Sequence, residues 1–136
     1  MSAQTPFATR QVAIAIVDDD PSVRVSLSRL CTALGLNATA YASGGEFLAA
    51  LNGGASCPDC LLLDMYMPEM TGFELLRHLL ARGTHIPTIV CTGGDVPEGL
   101  TRDATPGIAG YLHKPISAAD LLAAIEQALH GRDQAS

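Results

Sequence analysis

Short, continuous apolar runs recur along this chain, and most are followed by a segment with the periodicity of an amphipathic helix. The clearest runs cover residues 12–17, 60–63 and 86–91, and weaker candidates cover residues 37–41 and 108–112. An apolar run without alternation is typical of a strand that is buried on both faces of a parallel sheet. Five such strands separated by helices predict a doubly wound α/β fold, with helices on both faces of the sheet.

Capping residues mark where several of the predicted helices begin. Asp20 comes directly before Pro21, and a proline suits the first position of a helix because its missing N–H would have no partner there. Ser43, Thr71 and Ser117 each stand three residues before an acidic residue, which is the spacing of a capping box. These signals predict four helices that start just after the capping residues.

A fifth helix is the weakest element of the pattern. It should lie within residues 96–106, where two prolines, a glycine and two threonines make a poor helix, so we expect it to be short or irregular. Residues 12–130 are predicted to form one domain. Residues 1–11 are expected to be a flexible N-terminal tail, and residues 131–136 a C-terminal tail or linker stub.

Charge and composition exclude several classes of function. The formal net charge is −6 and the eight lysines and arginines are dispersed, which argues against a surface for nucleic-acid phosphates. No apolar run approaches the roughly 20 residues that cross a bilayer. Because a signal-peptide pattern is also lacking at the start, we expect a cytoplasmic protein without a membrane partner. Cys57 and Cys60 have C-x-x-C spacing, but no second pair completes a structural zinc site.

Polar residues of particular types follow the apolar runs. Asp18 and Asp19 follow the first run and Asp64 the third. Thr92 follows the fourth run and Lys114 comes after the fifth. Ligands of a doubly wound sheet bind outside the carboxyl ends of the strands, next to the point where the strand order reverses. The fold would therefore gather these five residues, although they lie far apart in the sequence.

The three aspartates predict a magnesium site with a nucleophile. Like charges raise each other's pKa unless a cation neutralises them, and Mg²⁺ binds through few carboxylates while it shares oxygens of a phosphoryl group. A carboxylate can attack phosphorus to form an acyl phosphate. Asp64 is the predicted nucleophile because it stands alone at its strand end. Thr92 and Lys114 offer a hydroxyl and a positive charge to the phosphoryl oxygens.

Four sequence blocks carry a resemblance to a known family. The chain resembles the response-regulator receiver domain of bacterial two-component signalling in V-D-D-D-P-S-V-R, L-L-L-D-M-Y-M-P-E-M-T-G, V-C-T-G-G and G-Y-L-H-K-P. The resemblance extends over residues 12–129, nearly the whole chain. It implies a flavodoxin-like or CheY-like fold, in which five helices flank a five-stranded parallel sheet of order 2-1-3-4-5.

The resemblance also implies the metal ligands and the phosphoryl acceptor. Asp18, Asp19 and Asp64 would hold Mg²⁺, together with the backbone carbonyl of Tyr66. Asp64 would receive the phosphoryl group from a sensor histidine kinase or a phosphotransfer protein. Such a domain is a switch and not an enzyme, although it assists its own phosphorylation and autodephosphorylation.

Further residues would bind the phosphoryl group and transmit the change. By the same resemblance, Thr92 and Lys114 bind phosphoryl oxygens, and the peptide bond between Lys114 and Pro115 is cis. Thr92 and Tyr111 would change position on activation. The output would belong to another domain or to a downstream protein outside this chain, and a homodimer that forms on phosphorylation is compatible with this scheme.

Two positions depart from the commonest pattern of the family. Tyr66 is bulkier than the residues frequent two positions after the acceptor, and Gly94, two positions after Thr92, has no side chain. We expect Tyr66 to shield the acyl phosphate partly from water, while Gly94 leaves the other side open.

Two alternative functions belong to other classes. A receiver-like module can bind partners without phosphorylation, but such modules typically lack the acceptor, the acid pair or the lysine. A phosphatase or mutase with an aspartyl nucleophile usually has a second acid two residues beyond the nucleophile, where this chain has Tyr66.

Overall fold

The fold is described by a computed structural model for residues 12–94 and 107–135, with side chains up to His130. Strands and helices follow one another along these residues. The strands are β1 (Ala13–Val17), β2 (Asn37–Tyr41), β3 (Cys60–Asp64), β4 (Thr88–Thr92) and β5 (Ile108–His113). The helices are α1 (Pro21–Ala33), α2 (Gly44–Asn52), α3 (Gly72–Ala81) and α4 (Ala118–Ala135).

All five strands pair in parallel within one sheet. Their order is β2-β1-β3-β4-β5, so the predicted CheY-like fold is confirmed. The chain passes from β1 to β2 on one side and then to β3 on the other side, which reverses the strand order between β1 and β3. The carboxyl ends of these two strands therefore flank the crevice in which doubly wound folds bind ligands.

Apolar side chains cover both faces of the sheet. Along β3, Cys60 and Leu62 belong to one core cluster, whereas Leu61 and Leu63 belong to the other. This division is expected because successive side chains of a strand point to opposite faces. The first cluster includes buried residues of α1 and α4, and the second includes buried residues of α2 and α3. Burial on both faces explains why the sequences of β1, β3 and β4 are almost continuously apolar, whereas the edge strand β2 is largely exposed and carries polar residues.

The predicted capping residues stand at the helix starts. The Asp20 side chain accepts a backbone N–H at the start of α1, and Thr71 forms a complete capping box with Glu74 at the start of α3. At α2, Ser43 caps the helix, but the Glu46 carboxylate accepts from the N–H of the residue before Ser43 and not from Ser43 itself. At α4, the Ser117 hydroxyl accepts from the Asp120 N–H. The predicted starts are confirmed, and among these helices the complete capping box is the one at α3.

Some boundaries differ from those that the sequence predicts. β4 begins at Thr88, after Pro87, because proline has no N–H to donate to the ladder. α4 continues to Ala135, so residues 131–135, expected as a tail or linker stub, are helical. The helix predicted within residues 96–106 lies outside the described residues, which contain four helices. Within the described ranges, no helix is long and apolar enough to span a membrane.

Candidate functional site

Three aspartates meet at the carboxyl ends of β1 and β3. Asp64 is the last residue of β3, and Asp18 and Asp19 follow β1 directly. Because Val17 pairs with Leu63 in these neighbouring strands, the residues that follow lie side by side at the edge of the sheet. One carboxylate oxygen of each aspartate lies within 4.8 Å of the other two. Among the described residues, no other group of three or more His, Cys, Asp or Glu is placed to hold a metal.

Lys114 reaches this cluster from the loop after β5. Its Nζ lies 2.8 Å from Asp18 Oδ2 and 3.5 Å from Asp64 Oδ1. Its backbone N–H donates to the carbonyl of Thr92 at 2.8 Å, which ties the loop to the end of β4, and its peptide bond to Pro115 is cis. Partial burial lowers the pKa of Lys114, but the hydrogen bond from Lys114 to Asp18 and the nearby carboxylate charges outweigh it, so the pKa is raised. The lysine is therefore a stable positive charge beside two carboxylates.

The Asp18 carboxylate is held on both of its oxygens. Only 1% of the residue is exposed. Oδ1 accepts a hydrogen bond of 2.9 Å from the Asp20 N–H, and Oδ2 accepts the one from Lys114. Asp19, the next residue, is exposed. The cluster thus combines a fixed, buried carboxylate with one that faces solvent.

Ionisation of Asp64 is less favourable than that of an ordinary aspartate. The residue is only 6% exposed. Burial, and then the charge of Asp18, raise the pKa of Asp64 from its ordinary 3.8 to about 6. Lys114 and the backbone N–H of Tyr66, whose nitrogen is 3.4 Å from Asp64 Oδ1, lower the pKa by less. A cation at this position would favour the ionised carboxylate.

The donor set of the cluster fits a hard divalent cation. Its three members each offer a carboxylate oxygen, and none of them is a sulfur or imidazole ligand. Oxygen ligands suit Mg²⁺, whereas thiolates and imidazoles suit zinc, copper and other transition metals. The residues present therefore fit magnesium.

The other predicted residues surround the cluster with less direct contact. Thr92 is fully buried, and its hydroxyl accepts from the N–H of Gly94 at 3.2 Å and donates to the carbonyl of Gly94 at 3.4 Å. None of the hydrogen bonds described for this part of the chain joins Thr92 to Asp64. Tyr66 is 60% exposed, and Tyr111 packs half-buried against the core cluster on the α2 and α3 face. The structure thus brings together the aspartates and the lysine, whereas the Thr92 hydroxyl faces its own loop.

Two residues next to the cluster have no counterpart in the sequence-based prediction. Arg24 of α1 donates from Nη1 to the carbonyl of Asp18 at 2.8 Å. Gly72, the first residue of α3, lies against the end of β3, where a Cβ would be 2.7 Å from the carbonyl oxygen of Asp64. The sequence places Gly72 directly after the capping residue Thr71, but it does not show that the glycine lies against the end of β3. Arg24 ends the block V-D-D-D-P-S-V-R, but its residue type does not indicate that its side chain turns back to the carbonyl of Asp18.

Comparison with known proteins identifies the class that this fold and site define. Residues 14–126 match the response regulator receiver domain. The chain therefore belongs to this family, whose members are signalling switches of two-component systems. The predicted family is confirmed.

Individual relatives agree with this assignment. The transcriptional regulatory protein FixJ of Azorhizobium caulinodans is 41% identical over 117 residues, which are 85% of this chain and 54% of FixJ. The response regulator protein TodT of Pseudomonas putida is 37% identical over 124 residues, or 90% of this chain and 53% of TodT. The crystal structure of a receiver domain protein from Clostridium thermocellum has a TM-score of 0.79 and 26% identity, covering 92% of this chain and 99% of that chain. This chain spans about half the length of the two curated relatives.

Proposed function

We propose that this domain accepts a phosphoryl group on Asp64 from the phosphohistidine of a sensor kinase or phosphotransfer protein, and that Mg²⁺ is required. One observation carries the proposal. Three carboxylates from two strand ends lie within 4.8 Å of one another, and a lysine from a third strand end lies 3.5 Å from the acceptor. Such a concentration of negative charge is costly by itself, and a site that binds a cation and a phosphoryl group makes use of it.

The transfer would exchange one bond for another at phosphorus. An oxygen of the Asp64 carboxylate attacks the phosphorus of the phosphohistidine, a P–O bond forms, and the P–N bond breaks. The electron pair of the broken bond stays on the imidazole nitrogen, which takes a proton from solvent. Phosphoryl transfer depends mainly on positioning and on neutralising charge at the equatorial oxygens. Lys114 would supply part of that charge, because its Nζ already lies beside Asp64.

The metal ligands would be Asp18, Asp19, Asp64 and the backbone carbonyl of Tyr66. Magnesium, when bound, would supply positive charge next to the phosphoryl oxygens. The orientation of the Asp18 carboxylate is already set, since each of its oxygens accepts a hydrogen bond from a fixed partner. Removal of the proton from Asp64, which metal binding and nucleophilic attack both need, is favoured as the pH rises through about 6.

The phosphoryl group would act on the rest of the domain through Thr92 and Tyr111. To bind a phosphoryl oxygen, the Thr92 hydroxyl has to leave its present partners in Gly94. The backbone hydrogen bond between Lys114 and Thr92 links the two residues that would grip the group. To change the ratio of active to inactive conformation from 1:99 to 99:1, the phosphoryl group has to favour the active one by about 5.5 kcal/mol. Tyr111 on β5 would change position in this transition.

The output of the switch would lie outside this chain. FixJ, a transcriptional regulatory protein by its name, is about twice as long as the matched region. We therefore propose that the domain controls an attached output domain or a separate protein in the cytoplasm. It would act as a switch that assists its own phosphorylation and autodephosphorylation, with no nucleic-acid or membrane contact of its own.

Intact-mass analysis tests the proposal. Wild-type protein incubated with MgCl₂ and acetyl phosphate should gain the mass of one phosphoryl group, and the gain should be absent in EDTA. Asp64→Asn should abolish it, whereas Asp120→Asn, which changes an exposed aspartate of α4, should not. No gain in folded wild-type protein would instead favour an interaction module that works without phosphorylation.

A further inference from the structure

Arg24 connects α1 to the strand end that carries two of the proposed metal ligands. It is half-buried, and its Nη1 donates a hydrogen bond of 2.8 Å to the carbonyl oxygen of Asp18. A hydrogen bond from a charged guanidinium is shorter and stronger than one between neutral groups. Neither ion pair described at the cluster involves Arg24. Its described contact at the site is therefore to the backbone, not to a carboxylate.

This contact fixes the peptide unit between Asp18 and Asp19. The carbonyl of Asp18 and the N–H of Asp19 belong to one planar unit, so holding the oxygen also sets the direction in which the chain enters Asp19. The Asp18 carboxylate has its own partners in Lys114 and the Asp20 N–H. No hydrogen bond or ion pair within the described residues uses the Asp19 carboxylate, which nevertheless lies within 4.8 Å of the other two. Its position therefore depends on the backbone that carries it.

We propose that Arg24 is a positioning residue for the magnesium site, because its guanidinium holds the Asp18–Asp19 peptide so that the Asp19 carboxylate faces the other two aspartates. The inference rests on the proposed function and deepens it. Arg24 touches neither the metal nor the phosphoryl group in this scheme, and it acts only through Asp19.

A purely structural role for Arg24 makes a different prediction. The start of α1 is already secured without the guanidinium, since the Asp20 side chain accepts the Ser22 N–H and the Asp20 carbonyl accepts the Arg24 N–H. Loss of the guanidinium should therefore weaken metal binding more than it weakens the fold. Partners that orient metal ligands typically change metal affinity by roughly 10- to 100-fold.

A role through charge alone predicts the opposite sign. Removing a positive charge next to three carboxylates would make the site more attractive to another cation, so Mg²⁺ would bind more tightly. Loss of positioning makes Mg²⁺ bind more weakly. The direction of the change in affinity separates the two roles.

Titration calorimetry with MgCl₂ on the whole chain tests the inference. Arg24→Met should raise the Kd for Mg²⁺ roughly tenfold, whereas Arg29→Met, which removes an exposed arginine from the same helix, should leave the Kd unchanged or slightly lower. Arg24→Lys keeps a charged donor and should recover most of the affinity. At saturating Mg²⁺, Arg24→Met should reach the wild-type extent of labelling by acetyl phosphate, because Asp64 itself is intact. Urea unfolding in EDTA shows whether each variant is folded. If Arg24→Met does not fold, Arg24→Gln replaces it, because the glutamine side chain is shorter than that of arginine.

The possible results are distinct. An unchanged or lower Kd in Arg24→Met, with wild-type protein that binds Mg²⁺ and is phosphorylated on Asp64, overturns the positioning role and leaves the proposed function standing. An equal loss in Arg29→Met, or no recovery in Arg24→Lys, also overturns it. Wild-type protein that neither binds Mg²⁺ nor gains a phosphoryl group overturns the proposed function, and the role of Arg24 with it.

Discussion

Substitution of Gly72 by alanine should destabilise the domain strongly, although the change adds only one methyl group. Gly72 is the first residue of α3, and its N–H donates to the carbonyl of Met65 at 3.0 Å. A Cβ at this position would lie 2.7 Å from the Asp64 carbonyl oxygen, 3.0 Å from Met65 Cα and 3.1 Å from Leu63 Cγ. Two of these atoms belong to the backbone at the end of β3, which the sheet holds in place, so α3 itself has to move.

The magnitude follows from what such a movement disrupts. Overpacking in a well-packed region costs about 1–3 kcal/mol, and weakening the hydrogen bond between Gly72 and Met65 adds about 0.5–1.5 kcal/mol. The greater helix propensity of alanine returns at most about 1 kcal/mol. We therefore expect a net loss of about 2–3 kcal/mol, a large part of the 5–15 kcal/mol typical of a folded domain.

Urea unfolding followed by circular dichroism measures this loss, with an expected fall in midpoint of roughly 1 M. Gly45→Ala is the matched control, because the nearest atom to its Cβ would be Ser43 Oγ at 3.8 Å, so this variant should be as stable as wild type or more stable. Gly44→Ala should fall between the two, since its Cβ would meet the flexible Met70 side chain at 2.8 Å. A Gly72→Ala variant as stable as Gly45→Ala would refute the packing argument.

Three further predictions concern the acceptor, its neighbour and the thiols. The folded protein raises the pKa of Asp64 from 3.8 to about 6, so the wild type loses stability as the pH rises through that window. In EDTA at neutral pH, Asp64→Asn should therefore raise the free energy of unfolding by up to about 3 kcal/mol. The gain should vanish below about pH 4, where both states are protonated, and a variant less stable than wild type at neutral pH would contradict it. Tyr66→Ala should shorten the lifetime of the phosphorylated protein, which intact-mass analysis measures, whereas Phe73→Ala, which removes another exposed aromatic ring, should not. Equal lifetimes for Tyr66→Ala and wild type would disprove that Tyr66 shields the acyl phosphate from water. A maleimide should label native protein once, on exposed Cys57, since the other three cysteines are buried, and a second rapid adduct would show that one of them is accessible.

The fold could be predicted from the sequence because its strongest signals agree. Burial on both faces makes β1, β3 and β4 continuously apolar, and capping residues such as Asp20 and Thr71 mark the helix starts. The weakest predicted element, the helix within residues 96–106, lies outside the described residues. The apolar run 86–91 predicts a strand from residue 86, but β4 begins at Thr88 because Pro87 has no N–H to donate to the ladder.

The acids and the lysine of the site could be predicted because the topology brings strand ends together. The contacts of Arg24 and Gly72 could not, since they depend on how α1 and α3 lie against the ends of β1 and β3. The orientation of the Thr92 side chain could not be predicted from the sequence either. Its hydroxyl donates to the Gly94 carbonyl and accepts from the Gly94 N–H, and residue type alone does not show that a strand-end threonine makes these contacts in its own loop.

Chemical trapping tests whether the carboxylate of Asp64 carries the phosphoryl group, because it locates that group on one residue. Borohydride reduces an aspartyl phosphate to homoserine, so protein labelled with acetyl phosphate and MgCl₂, then reduced, digested and sequenced by mass spectrometry, should contain homoserine at position 64. Asp59, in the same peptide, should remain aspartate. Homoserine at another position, or phosphorylated protein that is unreduced at position 64, would contradict the account.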